Sequence, residues 1–377
     1  MGNSRDVLLK LVRMAMGWEE DFSLPADIVW GEVLQLAYEQ GVGAIALDGY
    51  EEYLKIIPKD EQVVVSPQDK ILIIEAIGQL QLVEQNFAKH QEVVQKLGDI
   101  LHKKEIPFVI MKGFACGQYY PNPKHRECGD IDIYPGELFD ECNKSLKEAG
   151  VGVDPYYYRH SASYIDGVMI ENHRVLCDLR GPRKQTKELE ALLEQHANDS
   201  LKHGKPAMVD GAPVSGATFP IANFNALFLP WHVSAHFMVE RVTLRHLLDW
   251  ALFLVHDGNG IGLELYRHAK KNFTFGYSKM VDILTNLSLR YLNMPAEGVP
   301  TEIIDDARKF DDILADRVFE YMFVGQPKDR GNNVWQERMN NLKRIWKERW
   351  KYKEVYNQST AGFLWYKITG ALFKVGE

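Results

Sequence analysis

Asp130 and Asp132 stand two residues apart in the run Gly129-Asp130-Ile131-Asp132-Ile133. On a β-strand, side chains two apart leave the same face, so both carboxylates point together while Ile131 and Ile133 face a core. Like charges held that close resist ionising unless a cation lies between them. Hard divalent cations take oxygen ligands, and Mg²⁺ commonly uses one or two carboxylates together with substrate phosphates. The pair therefore predicts metal-assisted phosphate chemistry. The plainer alternative is a solvated edge strand that merely exposes an acidic face.

Upstream, Lys112-Gly113 closes an apolar run and opens a turn. Backbone N–H groups can approach a phosphate in that layout, with glycine permitting the approach and Lys112 offsetting charge. A salt-bridged surface lysine is the competing reading of Lys112. The loop Tyr119-Tyr120-Pro121-Asn122-Pro123-Lys124-His125-Arg126 lies between the turn and the carboxylates. Arg126 is its candidate triphosphate contact, and His125 reads as an exposed loop residue. Downstream, Glu171 and Asp178 both lie on one predicted strand. Their separation of seven puts them on opposite faces, so only one can join the site without a bulge. His173, two residues from Glu171, shares its face and either orients that carboxylate, touches the nucleotide or packs.

These residues carry a resemblance. Met111-Lys112-Gly113, Tyr119-Tyr120-Pro121 and Arg126-x-x-Gly129-Asp130-Ile131-Asp132-Ile133 are similar to an uncharacterised bacterial nucleotidyltransferase family of the DNA polymerase beta superfamily. Ile170-Glu171-Asn172-His173 resembles that family's third-carboxylate strand. Leu229-Pro230-Trp231-His232 with His236, and Arg245-His246-Leu247-Leu248-Asp249, resemble its helical C-terminal half. The likeness covers roughly residues 70 to 260 and favours Glu171 over Asp178. It implies that Asp130, Asp132 and Glu171 hold Mg²⁺ or Mn²⁺, and that Lys112, Gly113, Arg126, Gly129 and His173 bind the nucleotide. Two metals about 3.5–4 Å apart would stabilise attacking and leaving oxygens in an in-line displacement. A nucleoside monophosphate would then pass from an NTP to an acceptor, either a small molecule or a protein hydroxyl.

One departure stands out. The family pattern has Gly-Ser or Gly-Gly where this chain has Gly113-Phe114, followed by a longer loop. It keeps open a second reading, a non-catalytic regulatory protein that binds a nucleotide or neutralises a partner protein.

The elements that must position these groups follow from periodicity. Residues 1–103 read as an N-terminal helical segment. Within it a long helix from about Gln68 to Lys103 is capped by Ser66 with Pro67 in its first turn. Its apolar positions, from Ile71 and Ile74 to Leu97 and Leu101, recur at three- and four-residue steps. Residues 104–217 read as a nucleotidyltransferase-like α/β core. Its predicted strands cover 107–111, 130–134, 153–159, 161–166 and 168–178, with a turn at Asp166-Gly167 and a short hairpin around Asp210-Gly211. Residues 218–377 read as a helical C-terminal domain. The fold class is α+β, a small mixed sheet flanked by helices. His232 and His236 share a helix face but read as partly buried packing. Arg245 and Asp249, four apart, read as an ion pair. The basic stretch 338–353 places Trp346 and Trp350 on one helix face, buried against the protein.

Composition bounds the rest. The 377 residues are 46% hydrophobic and 25% charged, ample for a sizeable core. A formal charge of −8 argues against broad nucleic-acid binding, which relies on basic surface. The four cysteines form no CxxC pair, as expected of reduced thiols. The N-terminus has no signal-peptide stretch, and no window approaches the roughly 18 apolar residues of a membrane span. The apolar tail 362–375 is broken by Lys367 and Lys374 and reads as a packed helix. A cytoplasmic protein is the expectation.

Overall fold

Ser66 accepts a hydrogen bond from the Asp69 backbone N–H, and Pro67 occupies the first turn of the helix Pro67–His102. This computed structural model describes residues 2–154, 159–177, 181–239, 241–324 and 334–362. Asp178, residues 155–158 of the predicted strand 153–159, and nearly all of the tail lie outside them. The two halves of the long helix behave differently. Its C-terminal half buries Val93, Val94, Leu97 and Leu101 against the sheet. Gly98 permits that approach, because a Cβ there would run into Val214. The N-terminal half instead leaves Ile71, Ile74 and Leu82 exposed, contrary to the expected apolar face. The helices Trp30–Glu39 and Gly43–Ile56 pack there and cover one side.

Six strands form one mixed sheet: β1 (Phe108–Met111), β2 (Asp130–Tyr134), β3 (His160–Ile165), β4 (Val168–His173), β5 (Pro206–Val209) and β6 (Ala212–Thr218). Their spatial order is β3-β4-β2-β1-β6-β5. β1 runs antiparallel to β2 and parallel to β6, and β2 runs parallel to β4. Two hairpins complete the edges. At their turns Asp166 and Gly167, and Asp210 and Gly211, all take positive φ, as tight hairpin turns require.

The pleat sorts the two faces. Phe108, Ile110, Ile131, Ile133 and Ile170 meet the long helix and Cys142 and Leu146 of the helix Phe139–Glu148. The opposite face carries Asp130, Asp132, Glu171 and His173. The helix Ala222–Val239 contains Pro230, which cannot bond the Ala226 carbonyl. The Tyr277 hydroxyl donates to that carbonyl at 2.9 Å instead. N-terminal helices join the C-terminal ones in a common core, stitched by Gln40, whose Nε2 donates to Met322 O and whose Oε1 accepts from Leu244 N. The fold is α+β. Among the described residues no helix is long and apolar enough to cross a membrane.

The basic C-terminal stretch departs from expectation. Its helix breaks between Lys347 and Arg349. Trp350 packs against Phe237 and Tyr321, while Trp346 remains 66% exposed.

Glu190, on the helix Arg183–His203, secures the chain just past β4 by accepting the backbone N–H groups of Leu176 and Cys177. Burial pushes its carboxyl up from 4.5 to about 7, against the effect of those donors. A raised folded-state value gives stability that is full below about pH 4.5 and lost as pH rises through 7. Relative to Glu190→Gln, the native protein should lose up to roughly 3 kcal/mol between pH 4.5 and 8. Denaturant melts of both proteins at the two pH values check this; parallel pH profiles would refute it.

Candidate active site

Register brings the acidic residues together. Asp132 is paired with Glu171 across β2 and β4, and with Met111 across β1. Three strand positions distant in sequence thus become lateral neighbours, with side chains on a common face. His173 Nε2 lies 2.8 Å from Asp132 Oδ1 and 3.4 Å from Glu171 Oε2. Asp132, Glu171 and His173 each offer a ligand atom within 4.8 Å of the others. The Nδ1 atom of His173 is buried without a hydrogen-bond partner.

Lys112 directly follows β1 and takes a left-handed backbone (φ 46°), a conformation in which a non-glycine residue is strained. Its Nζ lies 2.6 Å from Asp132 Oδ1. Burial opposes ionisation of Asp132, which is 1% exposed, yet Lys112 and His173 outweigh it and hold the carboxyl well below its usual range. Burial would likewise raise Glu171, but the contact with His173 and the charge of Lys112 bring it down. Asp130 is different. Burial, then its neighbour Asp132, push its carboxyl up. Among the described residues it forms no ion pair and no side-chain hydrogen bond to another residue. A half-buried carboxylate with no ion pair of its own, beside two ionised carboxylates, is short of positive charge. This donor set fits a hard divalent cation.

Gly113 is required by close packing: an added Cβ would lie 2.7 Å from Cys128 Sγ and 3.3 Å from an Arg126 nitrogen. Gly129 has open space in front of it and lines the same cavity. Arg126 is buried. Its Nε and Nη2 donate to the two oxygens of Asp249, and its Nη1 donates to Glu127 O. The Tyr120 hydroxyl donates to Asp249 as well, and Tyr119 to Asp257. The loop after Gly117 is therefore clamped onto the helix Leu244–Asp257. Asp249 serves Arg126 rather than Arg245, contrary to the expected Arg245–Asp249 pair. His125 is also corrected: it is buried, with Nδ1 2.7 Å from Asp48 and Nε2 3.3 Å from Glu84. Burial disfavours its charge, but the two carboxylates prevail and raise its pKa.

Across the cavity from Asp130 and Asp132 stand His232, His236, Arg245 and His246. Ring centroids of His232 and His236 lie 4.4 Å apart, and those of His236 and His246 5.5 Å. Sequence reasoning assigned the first two histidines to packing and gave no role to His246. The adjacent Arg245-His246 at a helix start was the available signal, but its facing partners lie over 100 residues upstream.

No curated protein and no solved structure matches the chain. The profile of an uncharacterised nucleotidyltransferase family matches residues 26–271, well over half of the sequence, beginning upstream of the motifs that first carried the resemblance. With a paired-aspartate strand, a third carboxylate in register and this match, the chain belongs to that uncharacterised nucleotidyltransferase family, whose general chemistry is nucleotidyl transfer.

Proposed function

We propose that the protein is a Mg²⁺- or Mn²⁺-dependent nucleotidyltransferase that moves a nucleoside monophosphate from an NTP to a small-molecule or protein hydroxyl. The observation that supports this best is Asp130, a half-buried carboxylate with no ion pair among the described residues, sharing its sheet face with Asp132 and, across the strand pair, Glu171. Asp130, Asp132 and Glu171 would hold the metal. A bound divalent ion supplies charge neutralisation on the phosphates and lowers the pKa of an attacking hydroxyl. Glu171, about one-sixth exposed, is the carboxylate best placed to take that hydroxyl's proton. His173 orients Asp132 and Glu171 together, its Nε2–H aimed between them. Lys112 and Gly129 line the cavity where phosphates would lie. Arg126 would reach a phosphate only by giving up Asp249, so its main contribution is to fix the loop.

The contact of Lys112 with Asp132 favours a second reading. An ammonium already neutralises the central carboxylate, so a non-catalytic regulatory protein could keep this site closed without metal. Incubation with α-labelled NTPs, Mg²⁺ or Mn²⁺ and a cell extract separates the two. Transfer should occur and should fall about 10²- to 10³-fold in Glu171→Gln, with NTP affinity changed only a few-fold. Transfer that survives Glu171→Gln unchanged would remove Glu171 from the mechanism. NTP binding with no transfer under either metal and with several extracts would favour the regulatory reading.

A further inference from the structure

The three histidines and Arg245 face the carboxylates across a cavity of about 190 Å³. Pockets that enclose a drug-sized ligand hold roughly 300–1,000 Å³. This one suits a phosphate group or two, with a nucleoside outside.

Hydrogen bonding fixes what the wall offers. His246 is the third residue of the helix Leu244–Asp257, and its Nδ1 lies 3.2 Å from the Thr243 backbone nitrogen in a capping box. That N–H can only donate, so Nδ1 accepts and the ring proton sits on the other nitrogen, Nε2. Nε2 is thereby a donor and cannot ligate a metal without rearrangement. His232 forms no hydrogen bond among the described residues. The Arg245 guanidinium donates one hydrogen bond, to Glu127 O, and has no ion pair among them.

Charge points the same way. Burial first, then Lys112 and the neighbouring imidazoles, hold His232 well below its usual pKa. Burial, His236 and Arg245 push His246 down to about 3. Both imidazoles are neutral, with Arg245 beside them and the carboxylates on other parts of the lining. A neutral N–H donor next to a guanidinium is a pairing that accepts an anion.

We infer that Arg245, His246 and His232 form the seat of the leaving pyrophosphate, so the helical half of the chain completes the nucleotide site. This rests on the nucleotidyl-transfer reading and deepens it. Nucleotidyl transfer breaks the bond between the α-phosphorus and its bridging oxygen as the acceptor oxygen bonds to that phosphorus. The bridging oxygen leaves with pyrophosphate, whose growing negative charge Arg245 and the Nε2–H of His246 would meet.

The test is calorimetric binding of inorganic pyrophosphate to the full chain in EDTA, so that it depends on neither metal nor turnover. Glutamate and glutamine at position 246 both retain an acceptor for the Thr243 N–H and keep the helix start intact. Pyrophosphate should bind the native protein and His246→Gln within about three-fold of each other. His246→Glu should weaken it at least about 30-fold, and Arg245→Met about ten-fold or more. Two results would overturn the inference: no pyrophosphate binding, or equal binding to native protein and His246→Glu. So would pyrophosphate binding that appears only after one equivalent of Zn²⁺ or Co²⁺ is held by the histidines. Nucleotidyl transfer that persists with an unaffected His246→Glu would sink this seat alone. Metal-free binding with no transfer in any extract would sink the transfer reading alone.

Discussion

Asp132→Asn is expected to lower nucleotidyl transfer by at least about 10³-fold, equivalent to about 4 kcal/mol of barrier. The substitution is isosteric, and it removes the carboxylate on which Lys112 and His173 converge. Stability should fall too, because the half-buried Lys112 ammonium loses its closest counter-charge. These two effects separate in the double variant Lys112→Met with Asp132→Asn. Melting temperature should recover in the double, since no unpaired ammonium remains, while transfer stays abolished. Measured rates and melts that recover together would show that Asp132 acts only through the lysine.

The second large effect concerns the clamp between sheet and helices. Asp249→Leu leaves the buried Arg126 guanidinium with no carboxylate partner, and should cost about 3–5 kcal/mol in denaturant unfolding. The Tyr120 hydroxyl loses its acceptor in the same step. Arg126→Met combined with Asp249→Leu should regain most of that loss, since apolar pairs of similar volume replace buried ion pairs well. A double variant no more stable than Asp249→Leu would mean that the clamp acts through geometry rather than charge. Pyrophosphate binding by a stable double variant would place Arg126 in the scaffold; its loss would place Arg126 at the phosphates.

Local patterns carried the sheet and failed where partners are remote. Asp130 to Tyr134 alternates so regularly that its strand limits could be read directly. Asp166-Gly167 declared a hairpin because few dipeptides accept two positive φ values. The shared face of Asp130 and Asp132 follows from the same period of two. Their alignment with Glu171 does not, because parallel pairing of β2 with β4 is set by packing between segments. Arg126 looked like a free cation for a phosphate, and its partner lies 123 residues away. Four-residue spacing offered Arg245 as the nearer match for Asp249, and tertiary contact overrode it. His125 was misjudged for the same reason, since Asp48 and Glu84 come from helices far upstream. The apolar periodicity of the long helix was legible, but not that Ile71, Ile74 and Leu82 stay exposed, since that depends on what packs beside them.

The sheet order has a consequence for how the chain assembles. β1 lies between β2, close behind it in sequence, and β6, whose Ala217 pairs with Phe108. On a growing chain, β1 and β2 can zip soon after both emerge, whereas the other edge of β1 waits for about eighty more residues. Closing so long a loop adds entropy before any contact rewards it, and slow non-local pairing follows. Until β6 arrives, a fully apolar edge strand is open to wrong partners. The acidic pair can therefore be laid side by side early in synthesis, while the wall facing it comes from helices about a hundred residues further on. A nascent chain would hold its charges before it holds its site.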